Sequence, residues 1–106
     1  MDKITEHVRA AAMARLLFLP HAIRQMARPE RMITVADVWD CVFHGEVIED
    51  YPEDVRGRSC LLLGIPGNAR PVHVVCAPKD GYLAIITAYE PDPNEWNSDW
   101  KTRRFL

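Results

Sequence analysis

Glycine is scarce in this chain and cysteine scarcer: the 106 residues hold five of one and three of the other. No glycine-rich phosphate loop occurs, because Gly64-Ile65-Pro66-Gly67 lacks the lysine and the following helix that such a loop needs. Cys41, Cys60 and Cys76 are odd in number, sit in apolar runs and form no CxxC pair. Neither a disulfide framework nor a recognised zinc spacing is present, and buried free thiols in a reducing compartment are expected. No apolar run approaches the ~20 residues needed to span a bilayer. The first 25 residues carry an apolar patch without the layout of a secretory signal, so a cytoplasmic protein with no membrane partner is expected. A net charge of −2 also withholds the global basic signature of a nucleic-acid binder.

What is present fits one domain, residues 1–106, with one core. Hydrophobic residues make up 48% and charged residues 26%, an ordinary balance for a globular chain. The charges are unevenly spread. Arg24, Arg28 and Arg31 form one basic cluster, and Lys101, Arg103 and Arg104 another. Between them runs an acidic stretch, Glu46, Glu49, Asp50, Glu53 and Asp54. Basic segments of this kind can meet an anionic ligand while the acidic run faces solvent or a partner.

Residues 4–17 predict a helix, with Ile4, Val8, Ala11, Ala12 and Leu16 at helical spacing. Pro20 can open a second, since its missing N–H costs nothing in the first turn. There His21, Arg24, Gln25 and Arg28 share one face, and Ile23, Met26 and Ala27 turn to the core. Thr34, with Asp37 three residues on, starts a third helix whose buried stripe is Val35, Val38, Trp39 and Val42. Gly45 stops it. Extended runs follow at 47–51, 59–65, 72–77 and 82–90. Helices first and consecutive strands after them predict an α+β fold, with N-terminal helices on a curved antiparallel sheet of about four strands.

Two of those strands flank Pro78-Lys79-Asp80-Gly81. A type I turn on Lys79-Asp80, with Gly81 as bulge residue, sets Pro78 opposite Tyr82, Cys76 opposite Ala84 and His73 opposite Thr87. Tyr89 then shares the His73 face, and Val72, Val74, Cys76, Ala84, Ile86 and Ala88 form the apolar one. Pro91-Asp92-Pro93 ends the second strand, and Trp96 and Trp100 anchor the tail or stack on bases.

The polar residues within these apolar runs suggest chemistry. Imidazoles at His21 and His73 can move protons near neutral pH, and Arg24 or Arg28 can hold a phosphate. Such a set suits metal-independent RNA cleavage with the 2′-hydroxyl as nucleophile. A metal site built from His21, His73, Cys76, Asp92 or Asp99 lacks ligand spacing, and no cofactor is expected.

FLPHAIRQM (18–26), Ile33-Thr34 with Asp37-Val38, GEVIEDY (45–51), RPVHVV (70–75) and ITAYEPDPNEW (86–96) occur in this order, closed by Arg103-Arg104. Over residues 18–104 the chain resembles a widespread bacterial domain-of-unknown-function family of small toxin-like proteins. These are often encoded beside antitoxins with a YgiT-type zinc finger. The resemblance implies a barnase, colicin E5 and RelE type of RNase fold, preceded here by an extra helix at 1–17. Its helix histidine corresponds to His21, its strand histidine to His73, its last-strand Thr and Tyr to Thr87 and Tyr89, and its tryptophan to Trp96. An arginine expected four residues after the helix histidine is Gln25 here, with Arg24 beside it. The expectation is thus a toxin-like endoribonuclease with His21, His73 and Arg24 catalytic. Arg28, Thr87, Tyr89, Trp96 and Arg103 would bind an RNA substrate, and a zinc-finger antitoxin would be the partner. The alternative is a non-catalytic protein-interaction domain.

Overall fold

Three helices and five strands build an α+β fold in the computed structural model, which describes residues 3–105. Met1, Asp2 and Leu106, at the ends of the expected domain, lie outside the described residues. Helix α1 spans Lys3–Ala14 and buries Ile4, Val8 and Ala12. It ends sooner than its apolar spacing suggests, because Leu16–Phe18 leaves the helix to form strand β1. Helix α2 follows at Pro20–Met26, with Pro20 in its first turn. Helix α3 spans Val35–His44. Strands β2 (Glu46–Tyr51), β3 (Ser59–Gly64), β4 (Val72–Lys79) and β5 (Tyr82–Tyr89) complete the chain order.

The sheet order is β1-β5-β4-β3-β2. Neighbours among β2 to β5 run antiparallel, and β1 pairs with β5 in parallel. The sheet therefore has five strands and is mixed, where four antiparallel strands were expected. Residue 15 feeds straight into the β5 edge: Leu83 N–H donates to the Arg15 carbonyl at 2.8 Å, and Leu19 N–H to that of Ile85 at 3.0 Å.

One face of the sheet carries the helices. Ala22 and Met26 of α2, and Val38, Cys41 and Val42 of α3, pack with Cys60, Leu62, Val72, Val74, Cys76, Leu83, Ile85 and Ala88. Both short helices are rotated from expectation. Ile23 is 54% exposed, and Val35 and Trp39 are 58% and 46% exposed. Ala22 and Cys41 are buried instead, and Cys41 lies close against β3, where a Cβ on Gly64 would fall 2.8 Å from its Cα.

The start and stop of α3 follow from its chemistry. Thr34 Oγ1 accepts from Asp37 N–H and Asp37 Oδ2 accepts from Thr34 N–H, both at 3.0 Å, a reciprocal capping box. Gly45 closes the helix with φ −81°, so its role is space rather than handedness. A Cβ there would fall 2.5 Å from the Cys41 carbonyl oxygen and closer still to that of Leu63. Arg9 of α1 donates to the Val42 and Gly45 carbonyls at 3.2 and 3.0 Å, occupying acceptors that the helix end leaves open.

The β4–β5 register differs from expectation. Lys79 faces Tyr82 across a two-residue Asp80-Gly81 turn, and Gly81 holds φ 84°. Ala77 pairs with Ala84 and Cys76 with Ile85. A bulge then intervenes, and Val75 pairs with Thr87, Val74 with Ala88 and His73 with Tyr89. The extra residue, Ile86, restores the parity that the shorter turn changes. His73, Thr87 and Tyr89 still share a face, but His73 meets Tyr89 rather than Thr87. On the helix side the apolar residues of β5 are Leu83, Ile85 and Ala88, in place of Ala84, Ile86 and Ala88.

Candidate functional site

Alternation along β4 points Val72, Val74 and Cys76 at the helices and His73 at the opposite face. That face is covered rather than open. Residues 91–105 fold back over it, with Trp96 2% exposed and His73 0%. The tail is shaped by its own bonds. Trp96 bridges Arg103, Asn97 N–H donates to the Thr102 carbonyl at 2.8 Å, and Arg104 N–H to that of Glu95 at 2.9 Å. Asp99 Oδ1 accepts from Lys101 and Thr102 N–H, closing the loop between.

Both ring nitrogens of His73 are engaged. Nε2 lies 2.8 Å from the Trp100 carbonyl oxygen, and Nδ1 lies 3.3 Å from the Tyr89 hydroxyl. A carbonyl can only accept, so the proton sits on Nε2. Burial pushes the imidazole pKa below its ordinary value, which keeps the ring neutral and leaves Nδ1 to accept from the Tyr89 hydroxyl. Trp96 meets the imidazole edge-on, at 4.5 Å between centroids and 88° between planes.

Beyond Trp96 stands an ion pair. Arg103 lies 4.6 Å over the indole and donates from Nε and Nη2 to both oxygens of Glu49, at 2.9 and 3.0 Å. Tyr51 hydroxyl donates to the same carboxylate. The Arg103 hydrogen bond holds Glu49 below the usual carboxylate range, and Glu49 in turn raises Arg103. Burial, then the hydrogen bond to Glu49, pushes Tyr51 up to about 12, and burial also raises Tyr89. The face thus assembles a neutral imidazole, two protonated phenols, a carboxylate and a guanidinium. Beside it a groove of about 490 Å³ is lined by Asn94, Glu95, Arg103, Arg104 and Phe105.

Four of the residues singled out in the sequence meet here: His73, Tyr89, Trp96 and Arg103. Thr87 shares the face two positions along the ladder, opposite Val75. His21, Arg24 and Arg28 do not join them. His21 and Arg24 lie exposed on α2, and Arg28 lies exposed beyond its end, since the helix stops at Met26 rather than reaching Arg28. Ala22 and Met26 of α2 enter the core on the other side of the sheet, so His21 and His73 stand on opposite sides.

Glu49 and Tyr51 were missed, as members of an acidic surface run and a short strand. Strict alternation from Val47, which packs on the helix-side core, would turn Glu49 inward as well. A bulge between Val47 and Glu49 prevents this: Val47 pairs with Leu62, and Glu49 with Leu61 on the His73 face. The one signal in sequence was a glutamate and a tyrosine two residues apart in a strand. Two members of the acidic run pair with nearby arginines: Asp50 with Arg58, and Asp54 with Arg56.

The three cysteines are buried and free. Burial pushes the Cys41 thiol up to about 12, which suits packing rather than nucleophilic attack. Among the described residues no three His, Cys, Asp or Glu side chains gather as a metal-binding group. No helix among them is long and apolar enough to cross a membrane.

No curated protein and no solved structure matches the chain. Residues 18–90, from the end of β1 to the residue after β5, match the model of the family described as "Domain of unknown function (DUF4258)", and the chain belongs to that family.

Proposed function

We propose that this protein is a toxin-like, metal-independent endoribonuclease whose chemistry belongs to the His73 face. The observation that carries the reading is the joint presence there of His73, Tyr89, Glu49 and Arg103, with Trp96 between. Cleavage needs a proton acceptor for the 2′-hydroxyl, a donor for the leaving 5′-oxygen and a cation on the phosphorane. His73 Nδ1, the unprotonated nitrogen, takes the 2′-hydroxyl proton. The 2′-oxygen bonds to phosphorus, the P–O5′ bond breaks, and Tyr89, kept protonated by burial, supplies a proton to the leaving oxygen. Arg103 neutralises the phosphate, and Trp96 and Thr87 hold the nucleotide. The products are a 2′,3′-cyclic phosphate and a 5′-hydroxyl end. In this reading His21, Arg24 and Arg28 serve the RNA backbone at a distance from the reacting atoms. Cytoplasmic bacterial action and a zinc-finger antitoxin as partner remain parts of the proposal carried by the family resemblance.

The test is cleavage of RNA by the purified protein in EDTA, with end-group analysis. Cyclic-phosphate ends from the wild type, lost in Tyr89→Phe and Arg103→Gln, support the assignment. Undiminished cleavage by both variants would sink it.

A second reading, a non-catalytic interaction domain, is favoured by one observation: His73 is already bonded to Tyr89 and Trp100, and Glu49 and Arg103 to each other. It predicts no cleavage by any variant and no growth arrest on expression.

A further inference from the structure

The tail that covers His73 is attached in an unusual way. Among the described residues, every backbone–backbone bond of residues 94–105 stays within 92–104. No such bond ties the segment to the sheet. What holds it down is side-chain chemistry. Lys101 Nζ pairs with Glu46 at 2.8 Å, and Arg103 with Glu49. His73 donates to the Trp100 carbonyl, and Trp96 seats on the imidazole. Glu46 and Glu49 both stand on β2, a sheet edge, and point to the same face, since Glu46 pairs with Leu63 and Glu49 with Leu61. Trp100, whose carbonyl makes the seal, holds φ 62°, a left-handed conformation that a non-glycine residue adopts at a cost. The segment is a self-contained loop, strained at its point of attachment and held by two exposed ion pairs.

Its charge bears on what would lift it. Lys101, Arg103 and Arg104 are its cations, and two of the three are spent on Glu46 and Glu49. A polyanion competes for both. We propose that residues 96–104 form a releasable strap, opened when RNA phosphates draw Lys101 and Arg103 away from Glu46 and Glu49, so that ligand binding itself uncovers His73. The nature of the ligand rests on the endoribonuclease reading; the strap does not. Opening removes the Trp100 carbonyl from Nε2 of His73 and frees the Glu49 carboxylate, leaves Nδ1 beside the Tyr89 hydroxyl of β5, and carries the arginines with the phosphates they hold. Without ligand the strap keeps the imidazole away from water.

Carbethoxylation by diethyl pyrocarbonate, mapped by peptide mass spectrometry, reads this directly, because the reagent takes neutral, accessible imidazoles. His7 and His44 are exposed and serve as internal references. The probe ligand is a single-stranded 2′-deoxy oligonucleotide, which lacks the nucleophile and is not cleaved. In the wild type alone, His73 stays protected. Lys101→Glu, which sets a carboxylate against Glu46, raises its rate by roughly two- to fivefold, the effect of losing a surface ion pair. The oligonucleotide raises the wild-type rate at least as much, and an unchanged urea midpoint for the variant separates strap opening from global unfolding. A His73 rate unmoved by both the variant and the oligonucleotide overturns the strap. Uncovering without any RNA cleavage upholds the strap and removes the endoribonuclease reading. Cleavage with His73 still protected does the reverse.

Discussion

Replacing His73 by leucine tests the sealed face through stability. Leucine fills much of the same volume but makes neither hydrogen bond. It leaves the Trp100 carbonyl and the Tyr89 hydroxyl without their partner at 2.8 and 3.3 Å. A buried polar group left unsatisfied costs about 1–3 kcal/mol. Trp100 and Tyr89 are half-buried, so water can reach them and the lower end of that range applies to each. Losing the edge-on contact with Trp96 adds about 0.5–1 kcal/mol. The total is about 2–3 kcal/mol, which for a domain of this size lowers Tm by roughly 10–20 °C. The same substitution has a pH signature. Burial lowers the native pKa of His73 below its ordinary 6.5, so the unfolded chain takes up a proton before the native one does. Stability from this group is therefore complete above pH 6.5 and is lost as pH falls toward the native value. The slope is at most about 1.4 kcal/mol per pH unit, the limit for one proton. Glu49, lowered chiefly by Arg103, acts in the same direction but only below its ordinary 4.5. Urea titrations followed by tryptophan fluorescence between pH 5 and 8 should show a fall on the acid side in the wild type. In His73→Leu that component disappears. A variant within about 0.5 kcal/mol of wild type, the range of an ordinary surface substitution, would refute the burial argument. An unchanged slope between pH 5 and 6.5 would do the same.

Two further outcomes concern the scaffold. Gly45→Ala places a methyl group against the Leu63 and Cys41 carbonyls, and since backbone must move to admit it, a loss of about 1–3 kcal/mol is expected in chemical denaturation. A midpoint equal to wild type would mean that α3 and β3 are further apart there than described. Thr34→Ala removes half of the capping box and should cost about 1 kcal/mol, with Thr34→Ser largely restoring it in the same assay.

Local chemistry with a clear residue code was legible before the fold was known. Pro20 opening a helix, the Thr34–Asp37 box and the stop at Gly45 each follow from backbone groups that need specific partners. The four antiparallel strands, and the common face of His73, Thr87 and Tyr89, followed from alternation. Strand β1 was not legible, because three residues carry no periodicity and Leu16 also fits the preceding helical stripe. The two bulges mattered more. Each inserts one residue without a sequence marker, so one, together with the shorter turn, moved the partner of His73 from Thr87 to Tyr89, and the other turned Glu49 onto the same face. The cover over that face was hidden for a different reason. The tail has no repeating pattern, and its place is set by long-range contacts such as Arg103 with Glu49, 54 residues apart. A strand histidine flanked by valines reads the same whether its face is open or closed.

The most direct test of the functional account compares the two histidines on opposite sides of the sheet. RNA cleavage in EDTA is measured for His73→Gln and for His21→Ala, each verified as folded by circular dichroism. If the chemistry belongs to the His73 face, His73→Gln abolishes formation of 2′,3′-cyclic phosphate ends, while His21→Ala retains their formation with weaker RNA binding at most. Loss of cleavage in His21→Ala with full cleavage in His73→Gln would contradict the account and move the chemistry to α2.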